Sequence, residues 1–411
     1  MSRTSRVVLA AVATTTLAAC STTSTPAHTS SATAAPAAAP RKSTPPAFGL
    51  APDGLPVYAH TNGTADISAV ARRARDLVYV PEQLSGRVQV IDPHTFKIIA
   101  TYDVAASPEH VVPGYDERTL WVNSDAGNRL TPINPVTGKP GRAIPVAFPY
   151  NLYFTPGGKH ALVMAEALNR IDVRNPHTMA LQRTLHVPCN GVNHADFTAD
   201  LTTFVASCEF SGKLLVINSD ATKIKKVIDL NAIHTPGATD PKMAKSMGGP
   251  AASLNKGASS MPQDVRLAPD GRHYLVADML RNGVWVFDAR TFAEQRFIPT
   301  GKGAHGIYPS RDGKRIFVSN RDEGSISVLD ARTLNPIAKW RIPGGGSPDM
   351  GGLSADGSQL WLSGRYNSVV YVFDTRTGKL IHRIAVDPGP HGLLVWPQPG
   401  RFSLGHTGNM R

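Results

Sequence analysis

The sequence predicts an all-β fold: a β-propeller of four-stranded antiparallel blades, seven of them with eight as the alternative, closed by both chain termini. Three observations carry this. A short phrase, a β-run ending in Asp or Asn with Thr three or four residues later, occurs at Asp92, Asn134, Asn175, Asn218, Asp288, Asp330 and Asp374. These marks are spaced 42, 41, 43, 70, 42 and 44 residues apart, and a period near 42 is that of propeller blades. Each repeat also holds several short alternating runs bounded by turn residues, with no long amphipathic helix to compete.

Taken in chain order, the N-terminus comes first. Arg3 and Arg6 precede the apolar run Val7 to Ala13 and then Leu17-Ala18-Ala19-Cys20, the build of an export signal. The last four residues resemble a bacterial lipoprotein box. That resemblance implies a signal peptide over 1–19, cleavage before Cys20 and lipidation of its thiol; an ordinary secretory signal is the alternative. The run is too short to span a bilayer, so the expected location is outside the cytoplasm, at the cell surface or in the periplasm, held to the membrane by lipid. Residues 20–50 are Ser-, Thr-, Ala- and Pro-rich, too poor in apolar surface to fold, and read as a tether. The propeller is expected over 51–411.

Within a repeat the sixth shows the pattern best: Gly306-Ile307-Tyr308, Arg315 to Val318, Ser325 to Leu329, then Ile337 to Arg341. The first two runs are joined by Gly turns, as at Asp270-Gly271, Asp312-Gly313, Asp356-Gly357 and Gly157-Gly158, where Gly supplies the positive φ of a tight hairpin. The Asp-to-Thr phrase marks the turn from third to fourth strand. After the seventh phrase, Pro390-His391-Gly392-Leu393-Leu394-Val395 copies the start of a repeat and is expected to dock as the first strand of the opening blade. Its competitor for that place is Asp66 to Ala71. An eighth blade would need residues 390–406 together with Val57 to Thr61. The interval of 70 carries about 28 extra residues, placed at about 231–261, and insertions of this kind fall on loops of one face.

Cys189 and Cys208 are the cysteines left besides Cys20. In an exported chain they favour a disulfide, with two buried free thiols as the alternative. The net charge is +12, but Lys and Arg are scattered, which argues against nucleic acid and for a solvated surface. A monomer with an unknown small-molecule or protein partner is expected, and nothing in the sequence requires a cofactor.

Superposing the repeats exposes a ring. Twenty-four or 25 residues before the second to seventh marks lie His110, Asn151, His194, Asp264, His305 and Asp349, with His391 equivalent by local sequence. Each is expected where an innermost strand begins, around the central channel. The loops after the second strands, carrying Glu82, Asp125, Glu166, Glu209, Asp278, Arg321 and Arg365, are expected on the same face, making a polar funnel for a ligand. Four histidines, His110, His194, His305 and His391, are candidate metal ligands with Asp264 and Asp349 beside them. Ring members on separate blades, however, are expected to stand too far apart to share one ion. Gly-x-Ser-x-Gly, His-Glu-x-x-His, Gly-x-Gly-x-x-Gly and Cys-x-x-Cys-His are all absent, so no catalytic residue is nominated.

Arg315 to Asn320 followed by Ser327-Val328-Leu329-Asp330, and Pro390-His391-Gly392-Leu393, resemble the YVTN repeats of the YncE-like β-propeller family. Leu77-Val78-Tyr79-Val80-Pro81 is close to that family's namesake strand. The resemblance covers about 77–396 and is weakest in the third repeat. It implies the fold directly and function only by class. The leading class is a lipid-anchored binding or interaction module acting through the polar channel face, with Glu209, Arg321 and Arg365 among its loop residues. A lactonase-type hydrolase, with ring histidines and the Arg321–Arg365 pair on a sugar lactone, is one alternative. A metal or haem d1 carrier using the ring histidines is the other.

Overall fold

A computed structural model describes residues 46–234 and 258–411. The signal segment, Cys20 and nearly all of the tether lie outside the described residues, as does most of the insertion expected at 231–261. Among the described residues the helical elements are short 3-10 turns, none long and apolar enough to cross a membrane.

Seven antiparallel sheets, one per blade, surround an axis. Blades 3 to 7 run in sequence order, inner strand first. Their inner strands are Asn151–Phe154, Val192–Phe197, Pro262–Leu267, Ala304–Pro309 and Pro348–Leu353. Blade 2 starts at Pro108–Pro113 and splits its outer edge between Lys139–Pro140 and Ile144–Pro145. Blade 1 takes Leu77–Glu82, Arg87–Asp92 and Lys97–Asp103 from the N-terminal side, and its inner strand, Leu394–Trp396, from the C-terminal side. Leu77 pairs with Trp396 and Tyr79 with Leu394. No eighth blade forms. Residues 64–66 and 71–73 are 3-10 turns rather than an inner strand, and 397–411 take a different course.

Alternation explains the core. Inner and middle strands such as Thr203–Cys208 are wholly buried, whereas outer strands such as Pro336–Arg341 face water. Apolar side chains from both faces of each sheet meet those of the next blade, giving one packed cluster at each of the seven interfaces. Blades 7 and 1, for example, are joined by Trp361, Val370 and Val372 against Val78, Val80 and Val395. Cys189 and Cys208 are bonded across the start of blade 4.

The C-terminal segment decides the shape of the channel. After Trp396 it turns into the axis, where residues 403–411 are buried except Gly408. Phe154 N–H donates to Leu404 O (3.0 Å), His406 N–H to Leu152 O (2.9 Å), and Thr407 Oγ1 to Gly351 O (3.0 Å). Arg411 reaches Asp196 Oδ1 at 2.6 Å. The expected funnel is therefore corrected to a channel that residues 403–411 enter.

Candidate functional site

The ring of the sequence analysis exists, and a backbone irregularity builds it. In blades 4 to 7 the pairing of inner with second strand skips near its start. Val192 pairs with Cys208 and the next pair is Ala195 with Ala206; Ala304 pairs with Asn320 and the next is Ile307 with Val318. Two residues thus oppose one, a β-bulge. Asn193-His194, Gln263-Asp264, His305-Gly306 and Asp349-Met350 are the bulged pairs. Blade 2 skips once, at Glu109. The bulge swings these side chains off the pleat and toward the axis. Opposite three of the bulges stands a Ser that satisfies the displaced backbone: Ser207 Oγ takes His194 N–H (3.3 Å), Ser319 Oγ takes Gly306 N–H (2.8 Å), and Ser363 Oγ donates to Met350 O (3.0 Å).

His110, Asn151, His194, Asp264, His305, Asp349 and His391 are all essentially inaccessible to solvent. The imidazoles crowd: ring centres lie 4.8 Å apart for His110–His391, 5.5 Å for His110–His194, 6.0 Å for His305–His391 and 6.2 Å for His194–His305. A further histidine, His406 of the C-terminal segment, lies 5.1 Å from His194 and 5.3 Å from His110. Burial pushes all five imidazoles down, His110 to about 4. They are therefore neutral at neutral pH, each with one lone pair.

These groups fall into two threes. In one, ligand-capable atoms of His110, His194 and His406 lie within 4.8 Å of one another. The expectation that ring members stand too far apart to share an ion is thereby overturned, because the bulges and the tail bring the imidazoles inward. Nδ1 of His110 faces Tyr150 O (3.0 Å) and Nδ1 of His194 faces Asn193 Oδ1 (3.1 Å). Nδ1 of His406 meets the Asn151 amide nitrogen at 2.9 Å. All three Nε2 atoms are buried without a hydrogen-bond partner, as is Asp264 Oδ1, 3.7 Å from Nε2 of His406.

The other three, His305, Asp349 and His391, also converge within 4.8 Å, but charge already fills their surroundings. Arg321 holds Asp349 Oδ1 through Nε (3.0 Å) and NH2 (2.6 Å), and its NH2 also contacts Nε2 of His305. Nδ1 of His391 lies 2.8 Å from Glu109 Oε2, a carboxylate also bound by Arg365 at 3.3 Å. Arg365 reaches Gln83 Oε1 at 2.9 Å as well. The two arginines proposed for a lactone are thus each tied to a carboxylate.

The loop residues sort in the same way. Asn193 Nδ2 donates to Glu209 Oε2 (2.5 Å) and Glu166 Oε1 (3.1 Å), above the first three histidines. Burial, then the neighbouring Glu209, holds the Glu166 carboxyl well above its usual range, and burial raises Asp125 to about 7. Glu82 and Asp278 do not join the axis. Glu82 accepts from Ser85 Oγ and Asp387 N–H at the ring closure, both at 3.2 Å, and Asp278 takes Trp285 Nε1 (2.8 Å) and Met261 N–H (3.0 Å).

Sequence reasoning missed His406, Glu109, Asn193 and Tyr150. His406 lies beyond the last repeat, where the ruler does not reach. Its only local signal is Gly405-His406-Thr407-Gly408, glycines bracketing a turn.

Residues 236–400 match a family model described as a YNCE-like beta-propeller. No significant match is found among curated proteins. Among solved structures the chain is similar to a functionally unknown protein from Desulfotomaculum acetoxidans DSM 771, with 16% identity, TM-score 0.60, and 79% of this chain and 100% of that one covered. It is similar to Kuenenia stuttgartiensis hydrazine synthase at 17% identity and TM-score 0.53, covering 77% and 94%. It is also similar to the dihydro-heme d1 dehydrogenase NirN in complex with DHE at 14% identity and TM-score 0.55, covering 85% and 79%. Likeness at these identities speaks to fold alone.

Proposed function

We propose that this protein, whose residues 236–400 match a family model described as a YNCE-like beta-propeller, is an exported, lipid-anchored binding module that takes a small polar ligand into its hub. The observation carrying this reading is the convergence of unpartnered, buried polar atoms on the axis: Nε2 of His110, His194 and His406, Asp264 Oδ1 and Asp349 Oδ2. Buried polar groups are nearly always paired, because leaving one unpaired costs about 1–3 kcal/mol. None of the five makes a hydrogen bond, and the nearest approaches, His406 Nε2 to Asp264 Oδ1 (3.7 Å) and His391 Nε2 to Asp349 Oδ2 (3.6 Å), are long, which points to a small partner that bridges them. The ligand is small. Imidazole centres 4.8–6.2 Å apart and the tail beneath them leave no room inside the hub for a macrocycle such as haem d1.

Native mass spectrometry of the protein recovered after export tests this. The folded chain is expected to carry an extra mass that denaturation removes, and His194→Ala to lack it. A folded protein with no extra mass, and with no thermal shift from metal ions or from small organic acids and amines, would end the reading. The anchor is tested separately: Cys20→Ser is expected to move the protein from the membrane to the soluble fraction.

A further inference from the structure

We propose that the hub ligand is a single transition-metal ion held by Nε2 of His110, His194 and His406, so that the C-terminal segment supplies one ligand and two blades supply the others. This rests on the reading of the hub as a ligand site and names the ligand's class.

The donor atoms are prepared for the role. A metal-binding imidazole usually donates its second N–H to a carbonyl or carboxylate, which sets the tautomer and leaves the other nitrogen bare. Nδ1 of His110 lies 3.0 Å from Tyr150 O, and Nδ1 of His194 lies 3.1 Å from Asn193 Oδ1. Both therefore present an unprotonated Nε2 to the axis. His406 needs one adjustment. Asn151 offers it an amide nitrogen at 2.9 Å, so accepting Nδ1–H takes half a turn of that amide, which gives up the bond from Leu152 N–H to Asn151 Oδ1 (2.9 Å). Asn151 acts through His406 and is a positioning residue.

The geometry needs only a small inward movement. Zinc–imidazole bonds of ~2.0–2.1 Å set tetrahedral ligands about 3.4 Å apart, and one ring nitrogen from each of the three histidines lies within 4.8 Å of the other two. A set made of three neutral nitrogens suits Zn, Cu, Co, Ni or Fe, whereas Mg and Ca require oxygens. Three protein ligands leave a fourth position, beside which Asp264 Oδ1 stands unpartnered. The neighbouring His305–Asp349–His391 cluster is the poorer cation site, because Arg321 already holds its carboxylate. An ion there would have to displace a guanidinium.

The backbone at His406 is compatible with this role. It lies at φ 53°, in the left-handed region, between Gly405 and Gly408, which also have positive φ. Here it presents the imidazole to His110 and His194.

The test uses the purified protein stripped of metal and then titrated with Co(II), Zn(II) and Cu(II), with metal content and Co(II) visible spectra as readouts. One equivalent per chain is expected, with four-coordinate Co(II) bands. His110→Gln, His194→Gln and His406→Gln are each expected to weaken binding more than 100-fold, beyond the roughly 10- to 100-fold expected for Asn151→Ala, which touches only the His406 ring. His186→Ala, on an exposed outer strand, keeps the full equivalent. Circular dichroism and thermal unfolding of the metal-free variants show that each is folded. The proposal is overturned if the folded wild type binds no ion stoichiometrically, if the three Gln variants bind as it does, or if only His305→Gln abolishes binding. An extra organic mass in the native spectrum with no metal would sink this proposal alone and leave the binding module standing.

Discussion

Asp288 shows at single-residue scale what the repeated phrase does. Its Oδ1 accepts from Arg290 N–H (2.9 Å), Thr291 N–H (2.7 Å) and Thr291 Oγ1 (3.0 Å), and Thr291 Oγ1 in turn accepts from Ala293 N–H (3.3 Å). The residue after the Thr then takes a positive φ, as at Phe96, Gly138, Met179, Phe292, Leu334 and Gly378, and in every blade but the second the following strand pair is bulged. One carboxylate therefore shapes the whole third-to-fourth-strand turn. Asp288→Ala is expected to lower stability by about 1–2 kcal/mol, read as a shift in the denaturation midpoint at unchanged m-value. The phrase was legible because its chemistry is local. The bulges were not, because only the opposing strand shows that two residues face one. Ser207, Ser319 and Ser363 are their sole written trace. The offset of 24 or 25 residues nevertheless picks out His110, His194 and His305, whose rings the fold brings together, since a constant strand length carries a constant position.

At the scale of elements, two junctions hold the ring in shape. The Cys189–Cys208 bond, at a sequence separation of 19, ties the approach to blade 4 to the end of its second strand, next to the bulge that aims His194. Replacing both cysteines by Ala is expected to cost about 3 kcal/mol for a loop of this size, measured by chemical denaturation. The other junction is Glu82, whose carboxylate receives Asp387 N–H where the C-terminal strand joins blade 1. Burial, then the neighbouring Asp387, lifts its carboxyl from 4.5 to about 8. The folded state thus holds this proton more tightly than the unfolded chain. Its contribution is complete below about pH 4.5 and is lost as pH rises through about 8. Glu82→Gln is expected to flatten the fall in melting temperature over that interval. An unchanged slope would assign the pH dependence elsewhere. The closing strand itself could be read from Pro390-His391-Gly392-Leu393, because it copies a repeat. The role of Glu82 could not, since its partner lies 305 residues away.

At the scale of the whole molecule, the tail is the part that sequence reasoning did not reach. Residues 397–411 have neither the period nor the strand pattern of a blade, and nothing local says that they turn inward. Their burial is a property of the finished ring, whose inner strands leave free carbonyls at Leu152, Ala195 and Gly351 for the tail to meet. Leu404 packs into the core between blades 3 and 4, so Leu404→Ala is expected to cost about 2–4 kcal/mol. Hydrogen exchange is expected to show lost protection at Phe154, whose N–H is bonded to Leu404 O. Protection that survives would mean that the tail docks through its polar contacts alone.

The tail also sets an order of assembly. His110 and His194 are made early, in blades 2 and 4, while His406 follows every blade in the chain. A three-histidine centre therefore cannot exist on a partly made chain, however many blades have already packed. It closes only when the tail lies against the inner strands of the ring. The ion it encloses is then selected by timing and place, from whatever metals surround the chain when folding ends, rather than by the affinity ranking that bare imidazoles would impose.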